Sequence, residues 1–222
     1  MPRAVLFDMF GTLLPGGSRA ERDAVTGAMA ADLGVGVADL AALWAATYDD
    51  RARGLLGDLD DTLAFLSGRL GADPTPDARA RAAARRLEFT ASLHRRTWAL
   101  PALTALADVG VPIGLVSDCT IETPMVWDAG PLAGFFGAVS MSCVTGIRKP
   151  EPEAYLRATG DLGVDPGECL FVGDGGSHEL SGAAALGMTV RRYTSPHSGD
   201  RVDPDTWDGP QIDNLLGVLD LL

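Results

Sequence analysis

The chain has 222 residues, 46% hydrophobic and 22% charged, with a mean hydropathy of +0.12, which suits one globular domain or a core with a modest second unit. A formal net charge of −12 and a pI near 4.5 argue against binding to a nucleic-acid backbone. No run approaches the roughly 18 uninterrupted apolar residues of a membrane span, and the amino terminus meets Asp8 too soon for a signal peptide, so a cytoplasmic protein, monomeric or homodimeric, is expected.

The first element is "RAVLFD" (3–8), a short apolar run that reads as a buried strand. Four similar runs follow much later: "VPIGLVSD" (111–118), "GAVSMSC" (137–143), "ECLFVGD" (168–174) and "MTVRRY" (188–193). All are near-continuous rather than alternating, as expected of parallel strands covered on both faces. Helix-like segments separate them at 100–109, 151–162 and 178–187, with a closing one near 212–221. Strands alternating with helices predict an α/β fold, a Rossmann-like parallel sheet core with right-handed crossovers.

Between the first two strands lies a long stretch without a strand. Ala-, Leu- and Arg-rich segments at 18–33, 37–54, 58–70 and 76–96 are separated by "LGVGV", "LLGDL" and "LGADPTP", whose Gly and Pro read as helix stops and starts. This is far more chain than one crossover helix needs, and it predicts a helical insert over the carboxyl ends of the strands, where open α/β sheets bind ligands. "SPHSGDRVDPDTWDGP" (195–210) reads as an exposed loop. The three cysteines, Cys119, Cys143 and Cys169, are widely spaced and read as reduced thiols; three histidines make a polyhistidine zinc site a poor expectation.

Polar groups stand at the strand ends: Asp8 on the first, Ser117 and Asp118 on the second, Asp174 on "CLFVGD". A parallel sheet places these ends along one edge, and Lys149 in "RKPEPEAY" lies beyond the third strand, where it can supply a cation. Together "FDMFGTLL", "LVSDCT", "RKPEPEAY" and "VGDGGSHELSGAAALGM" resemble the four motifs of the haloacid dehalogenase-like hydrolase superfamily. The resemblance covers most of the chain outside the insert. It implies a discontinuous hydrolase core (1–15 and 98–222) and a small helical cap domain (16–97) inserted after the first strand.

In such a site Asp8 is a nucleophile that forms a covalent intermediate later broken by water. Asp8 and Asp174 make a hard, oxygen-only site suited to Mg²⁺, to which the resemblance adds the Phe10 carbonyl. Lys149 neutralises phosphate charge and Ser117 holds phosphate oxygens. Gly11, Thr12, Asp118 and Arg51 are candidates for binding the phosphate or the substrate. Glu179 sits where the superfamily carries an acid, and is expected to orient a water or Lys149. Arg53, the arginines at 79, 81, 85 and 86, and Trp44, Trp98 and Trp127 are expected to be solvated or packing residues. His178 is expected to be exposed, and Cys119 is discounted as a nucleophile for want of a neighbouring histidine in the sequence.

One position departs from the pattern. Phosphatases of the superfamily carry an Asp two residues after the nucleophile, as general acid and base; here it is Phe10. Three readings follow. The protein can be a phosphohydrolase with a substitute acid, such as Asp118, Asp49 or Asp50, or with a leaving group that needs no proton. It can be a metal-independent 2-haloacid dehalogenase, since those carry an aromatic residue at this position. It can be a noncatalytic binding protein. Asp174 favours the first, because dehalogenases lack that acid and an unneutralised pair of aspartates would repel a haloacid. The expected partner is therefore a small phosphorylated substrate.

Overall fold

The structure, a computed structural model, describes residues 1–194 and 204–222. Strand β1 (Ala4–Phe7) leads into the helical insert: α1 (Arg19–Leu33), α2 (Val37–Ala46), α3 (Tyr48–Ala52), α4 (Leu59–Arg69) and α5 (Pro76–Arg95). Then come α6 (Leu100–Asp108), β2 (Ile113–Ser117), α7 (Glu122–Trp127), β3 (Ala138–Met141), α8 (Ser142–Thr145), α9 (Pro152–Leu162), β4 (Cys169–Gly173), α10 (Glu179–Ala185), β5 (Thr189–Tyr193) and β6 (Gln211–Ile212). The chain closes in a 3₁₀ helix, Leu215–Leu221, where an α-helix from 212 was expected.

All strand pairs are parallel and the order is β3-β2-β1-β4-β5-β6. The chain runs outward from β1 through β2 and β3, then crosses back to β4 on the other flank. The strand order therefore reverses between β1 and β4, and ligand crevices form at such a switch point. Alternation along β1 builds both layers: Val5 and Phe7 enter one core with Leu103, Leu115 and Val172, while Ala4 and Leu6 enter the other with Tyr155, Phe171 and Leu180. The insert has its own core of Met29, Leu33, Leu40, Leu63 and Leu66. Among the described residues no single helix is long and apolar enough to cross a membrane.

Local chemistry explains the insert's breaks. Ser18 caps α1 by accepting from the Glu21 N–H while Glu21 accepts from the Ser18 N–H, a reciprocal capping box. The expected helix over 37–54 divides at Thr47, whose hydroxyl donates back to the Leu43 carbonyl at 2.8 Å; such back-bonding bends helices. Three elements escaped sequence reading because they are short: β6, α7 and α8. Of the expected exposed loop, residues 195–203 lie outside the described residues. Asp205 is not exposed: it accepts from the Ser181 N–H at 2.8 Å and from the Ser181 hydroxyl at 2.6 Å, so its carboxylate caps the first turn of α10.

Candidate active site

Asp8 follows the last residue of β1 and its N–H donates to the Val172 carbonyl at 2.9 Å, which locks it to the neighbouring strand β4. Asp174 follows the last residue of β4, so the two aspartates flank the switch point. Carboxylate oxygens of Asp8, Asp174 and Glu179 all lie within 4.8 Å of one another, and all three residues are buried. Gly11 permits this approach: it has φ +89°, and a Cβ there would collide with the Asp174 carboxylate.

Lys149 Nζ sits between two of the acids, 2.5 Å from Asp8 Oδ1 and 2.5 Å from Glu179 Oε2. Burial alone would lower its pKa, but Asp8 and Glu179 outweigh burial and hold the ammonium well above its usual range. Burial and the nearby Asp8 charge push Glu179 upward. Glu179 also accepts from the Gly175 N–H at 2.9 Å, so both of its oxygens are engaged, and Tyr155 donates to its main-chain carbonyl at 2.9 Å. Asp174 Oδ1 accepts from the Gly176 N–H at 3.0 Å. The turn that carries these contacts is strained: Ser177 and His178 both lie in the left-handed region, at φ 53° and 51°.

The other expected site residues divide. Thr12 is fully buried and stands behind Asp8 rather than on the cavity wall, its hydroxyl donating to Asp8 Oδ2 at 3.0 Å. Asp118 lines the cavity but is held by its neighbours: it accepts from the Lys149 N–H at 3.0 Å and from Arg148 Nε at 3.2 Å. Arg148 also pairs with Asp49, which Arg53 contacts as well, and these arginines keep the Asp49 carboxyl below its usual range. Asp118 and Asp49 are thus both tied to Arg148, and Asp50 is exposed and not on the cavity wall. The Ser117 hydroxyl is buried and has no hydrogen-bond partner among the described residues. Cys119 is buried 3.7 Å from Cys143 Sγ, and the Cys143 contact and burial raise its thiol well above the usual range, in keeping with its dismissal as a nucleophile. His178 is half-buried rather than exposed.

Above this cluster, the insert encloses a cavity of about 570 Å³. Its wall includes Asp8, Gly11, Asp118, Lys149, Asp174 and Glu179 from below, and Trp44, Tyr48, Arg51, Arg86, Phe89 and Leu93 from the insert. Phe10 is half-buried on this wall, its ring edge-on to His94 at 6.5 Å between centroids. Two expectations about the insert change here. Arg86 is not on the wet face of its helix; it reaches the buried Glu122 of α7 at 2.6 Å. Burial raises the Glu122 pKa, but Arg86, Thr120 and Arg51 outweigh it and leave the carboxyl below its usual value. Arg53 ties α3 to the sheet domain by donating to Glu151 at 2.7 Å and to the Gly146 carbonyl at 3.1 Å. Trp44 packs against the insert's core as expected and also forms part of the cavity wall. Trp98 packs as expected, and its indole also donates to the Thr12 carbonyl at 2.8 Å. Residues spaced i,i+2 on a helix point apart, which is why Arg51 faces the cavity while Arg53 crosses to the sheet domain.

Comparison with known proteins agrees with this geometry. The glyceraldehyde 3-phosphate phosphatase of Methanopyrus kandleri is 29% identical over 244 residues, an alignment spanning 100% of this chain and 97% of that protein. Among solved structures, a 2-haloacid dehalogenase from Pseudomonas syringae pv. Tomato DC3000 superposes with a TM-score of 0.72 at 24% identity, covering 100% of this chain and 98% of the other. A HAD phosphatase from Thermococcus onnurineus gives a TM-score of 0.66 at 23% identity, with coverage of 100% and 97%. The family model of haloacid dehalogenase-like hydrolases matches residues 2–187, and with the strand order and the acids at its switch point this chain belongs to that family.

Proposed function

We propose that the protein is a Mg²⁺-dependent phosphatase that hydrolyses a small phosphorylated metabolite through a covalent intermediate on Asp8. The observation that carries this reading is the buried cluster of Asp8, Asp174, Glu179 and Lys149 at the floor of a cavity. The donor set suits a hard divalent cation: Asp8 and Asp174 offer carboxylate oxygens, and the Phe10 carbonyl accepts no hydrogen bond among the described residues. When bound, Mg²⁺ would neutralise charge between the nucleophile and the phosphate oxygens.

The chain's own groups account for the remaining steps. The Asp8 carboxylate attacks phosphorus, the bond from phosphorus to the leaving oxygen breaks, and water then opens the aspartyl phosphate to return the carboxylate and inorganic phosphate. Thr12 and Lys149 hold the two Asp8 oxygens and so aim the attack. Glu179 acts on Lys149 and the Gly175 turn, a positioning role. The unpartnered hydroxyl of Ser117, a residue just behind the wall residue Asp118, supplies a donor for a phosphate oxygen, and Gly11 and Asp118 on the wall are phosphate-binding positions. Residues 1–15 and 98–222 form the hydrolase core in this reading, and residues 16–97 form a cap that selects the substrate.

Phe10 limits the chemistry. No acid at that position protonates a departing alkoxide, so leaving groups that depart as stable anions, such as aryl oxides and carboxylates, are favoured. The same aromatic side chain favours a second reading, displacement of halide from a 2-haloacid. The acids beside Asp8 oppose it, because they repel an anionic haloacid when no cation is bound. The named relative, a phosphatase, supports the first reading. The test is hydrolysis of 4-nitrophenyl phosphate in Mg²⁺ and in excess chelator, beside Asp8→Asn. Turnover requires both the ion and Asp8. Equal turnover in chelator or in the variant overturns the proposal, and metal-free halide release moves the assignment to the second reading.

A further inference from the structure

Among the charges lining the cavity, Arg51 stands apart. Its side chain is 4% exposed, and among the described residues it pairs with no carboxylate. Nε donates to Thr47 Oγ1 at 3.4 Å and Nη2 donates to the Trp44 carbonyl at 2.6 Å, while Nη1 donates to no atom of the described residues. The guanidinium lies 4.1 Å from the Trp44 ring centroid and 6.0 Å from that of Tyr48. Arg86 approaches the same Trp44 ring at 5.1 Å, but it is neutralised by Glu122. Two arginines therefore share one buried carboxylate, and one positive charge is left over on the cavity wall.

A packing role does not account for this arrangement. Stacking on an aromatic ring contributes about 0.5–2 kcal/mol, whereas removing an unpaired ion from water costs several kcal/mol. Burial lowers the Arg51 pKa to about 10, so the group remains a cation at neutral pH. Its free edge presents the planar donor fork that matches a carboxylate or a phosphate. The wall of the same cavity carries the apolar side chains of Phe10, Phe89 and Leu93, so the cavity joins a phosphate-sized polar floor, an apolar wall and a cationic site.

The geometry points to a second anion subsite at Arg51: the substrate is a phosphate monoester whose leaving group carries its own carboxylate or phosphate, bound to this guanidinium against Trp44. The inference rests on the phosphatase reading for the reaction it serves, while anion binding at Arg51 stands or falls by itself.

The kinetic arm compares phenyl phosphate, 4-carboxyphenyl phosphate and hydroquinone bisphosphate with the wild type, Arg51→Met and Arg51→Lys, each first shown to be folded by circular dichroism. In the wild type the KM of at least one probe with a second anionic group falls below that of phenyl phosphate by about 10-fold or more, the scale of one charge-assisted hydrogen bond. Arg51→Met abolishes that ratio and Arg51→Lys restores part of it. Preference for the carboxyl or the bisphosphate probe identifies the anion. The binding arm needs no turnover: 4-hydroxybenzoate and phenyl phosphate are tested for protection against thermal unfolding. 4-Hydroxybenzoate raises the Tm of the wild type and not of Arg51→Met. An unchanged KM ratio in Arg51→Met, or equal protection of both proteins, overturns the inference. Absence of hydrolysis with normal Arg51-dependent protection instead overturns the phosphatase reading alone.

Discussion

The floor and the roof of the cavity are built by different rules. On the floor, acids stand at strand ends and are fixed by main-chain and side-chain partners: Asp8 by Thr12 and Lys149, Glu179 by Lys149 and Gly175, Asp118 by Arg148 and the Lys149 amide. On the roof, helices present arginines and aromatic rings, and among the described residues Arg51 makes no direct ion pair with a carboxylate. In the proposed reading the floor holds the reacting groups at a fixed place, while the roof offers the anion subsite at Arg51.

The largest expected effect lies on the floor. Asp8→Asn keeps the shape of the side chain but removes the nucleophile, and turnover of an aryl phosphate falls by roughly 10⁴-fold or more, measured as kcat with Mg²⁺ saturating. A smaller loss would mean that the floor does not carry the chemistry.

The next effect concerns the ion pair between Arg86 of the insert and the buried Glu122. Glu122→Gln leaves the Arg86 charge half-buried without its carboxylate, and stability falls by about 3 kcal/mol, read from the urea midpoint. The pH dependence has a definite sign. The folded Glu122 carboxyl lies below the ordinary glutamate value of 4.5, so its contribution is complete above pH 4.5 and is lost as pH falls through the folded pKa. The wild type should therefore lose stability more steeply than Glu122→Gln as pH falls below 4.5.

Phe10→Asp tests the boundary between the two regions. If the missing acid is what limits alkyl esters, this substitution accelerates hydrolysis of an alkyl phosphate relative to an aryl phosphate by about 10²-fold, the lower end of general-acid catalysis. An unchanged ratio would mean that Phe10 does not set the leaving-group preference.

The smallest effect is a stability slope. His94 is buried between the Phe10 and Trp127 rings with neither nitrogen hydrogen-bonded among the described residues, and burial lowers its pKa. The unfolded imidazole then binds a proton that the folded one resists, so stability declines as pH drops below 6.5, the ordinary imidazole value. His94→Phe should flatten that decline by about 1 kcal/mol per pH unit, measured by chemical denaturation between pH 6.5 and 5.5.

The same contrast explains what the sequence made legible. A parallel strand is a continuous apolar run, and an acid at its end is visible at once; Asp8 and Asp174 could be read as partners because a parallel sheet must bring those ends together. The insert offered no such rule. Arg86 belongs to a dense arginine cluster on a 20-residue helix, and periodicity alone did not separate it from Arg79 and Arg85, which pair with exposed or half-buried acids. Its partner Glu122 stands at the start of a helix of 6 residues, too short for a pattern. Arg148 was hidden beside the more conspicuous Lys149. Thr12 was seen as a ligand for phosphate because its hydroxyl's direction depends on the turn through Gly11, which composition does not reveal.

Rapid chemical quench of the enzyme with a ³²P-labelled aryl phosphate and Mg²⁺ tests the central claim most directly. Because Phe10 also provides no base to activate water, opening of the aspartyl phosphate is slow relative to its formation. The predicted result is a burst of aryl product approaching one per enzyme, with label on the peptide containing Asp8 that hydroxylamine removes. Steady turnover without a burst and without label on that peptide would contradict the account.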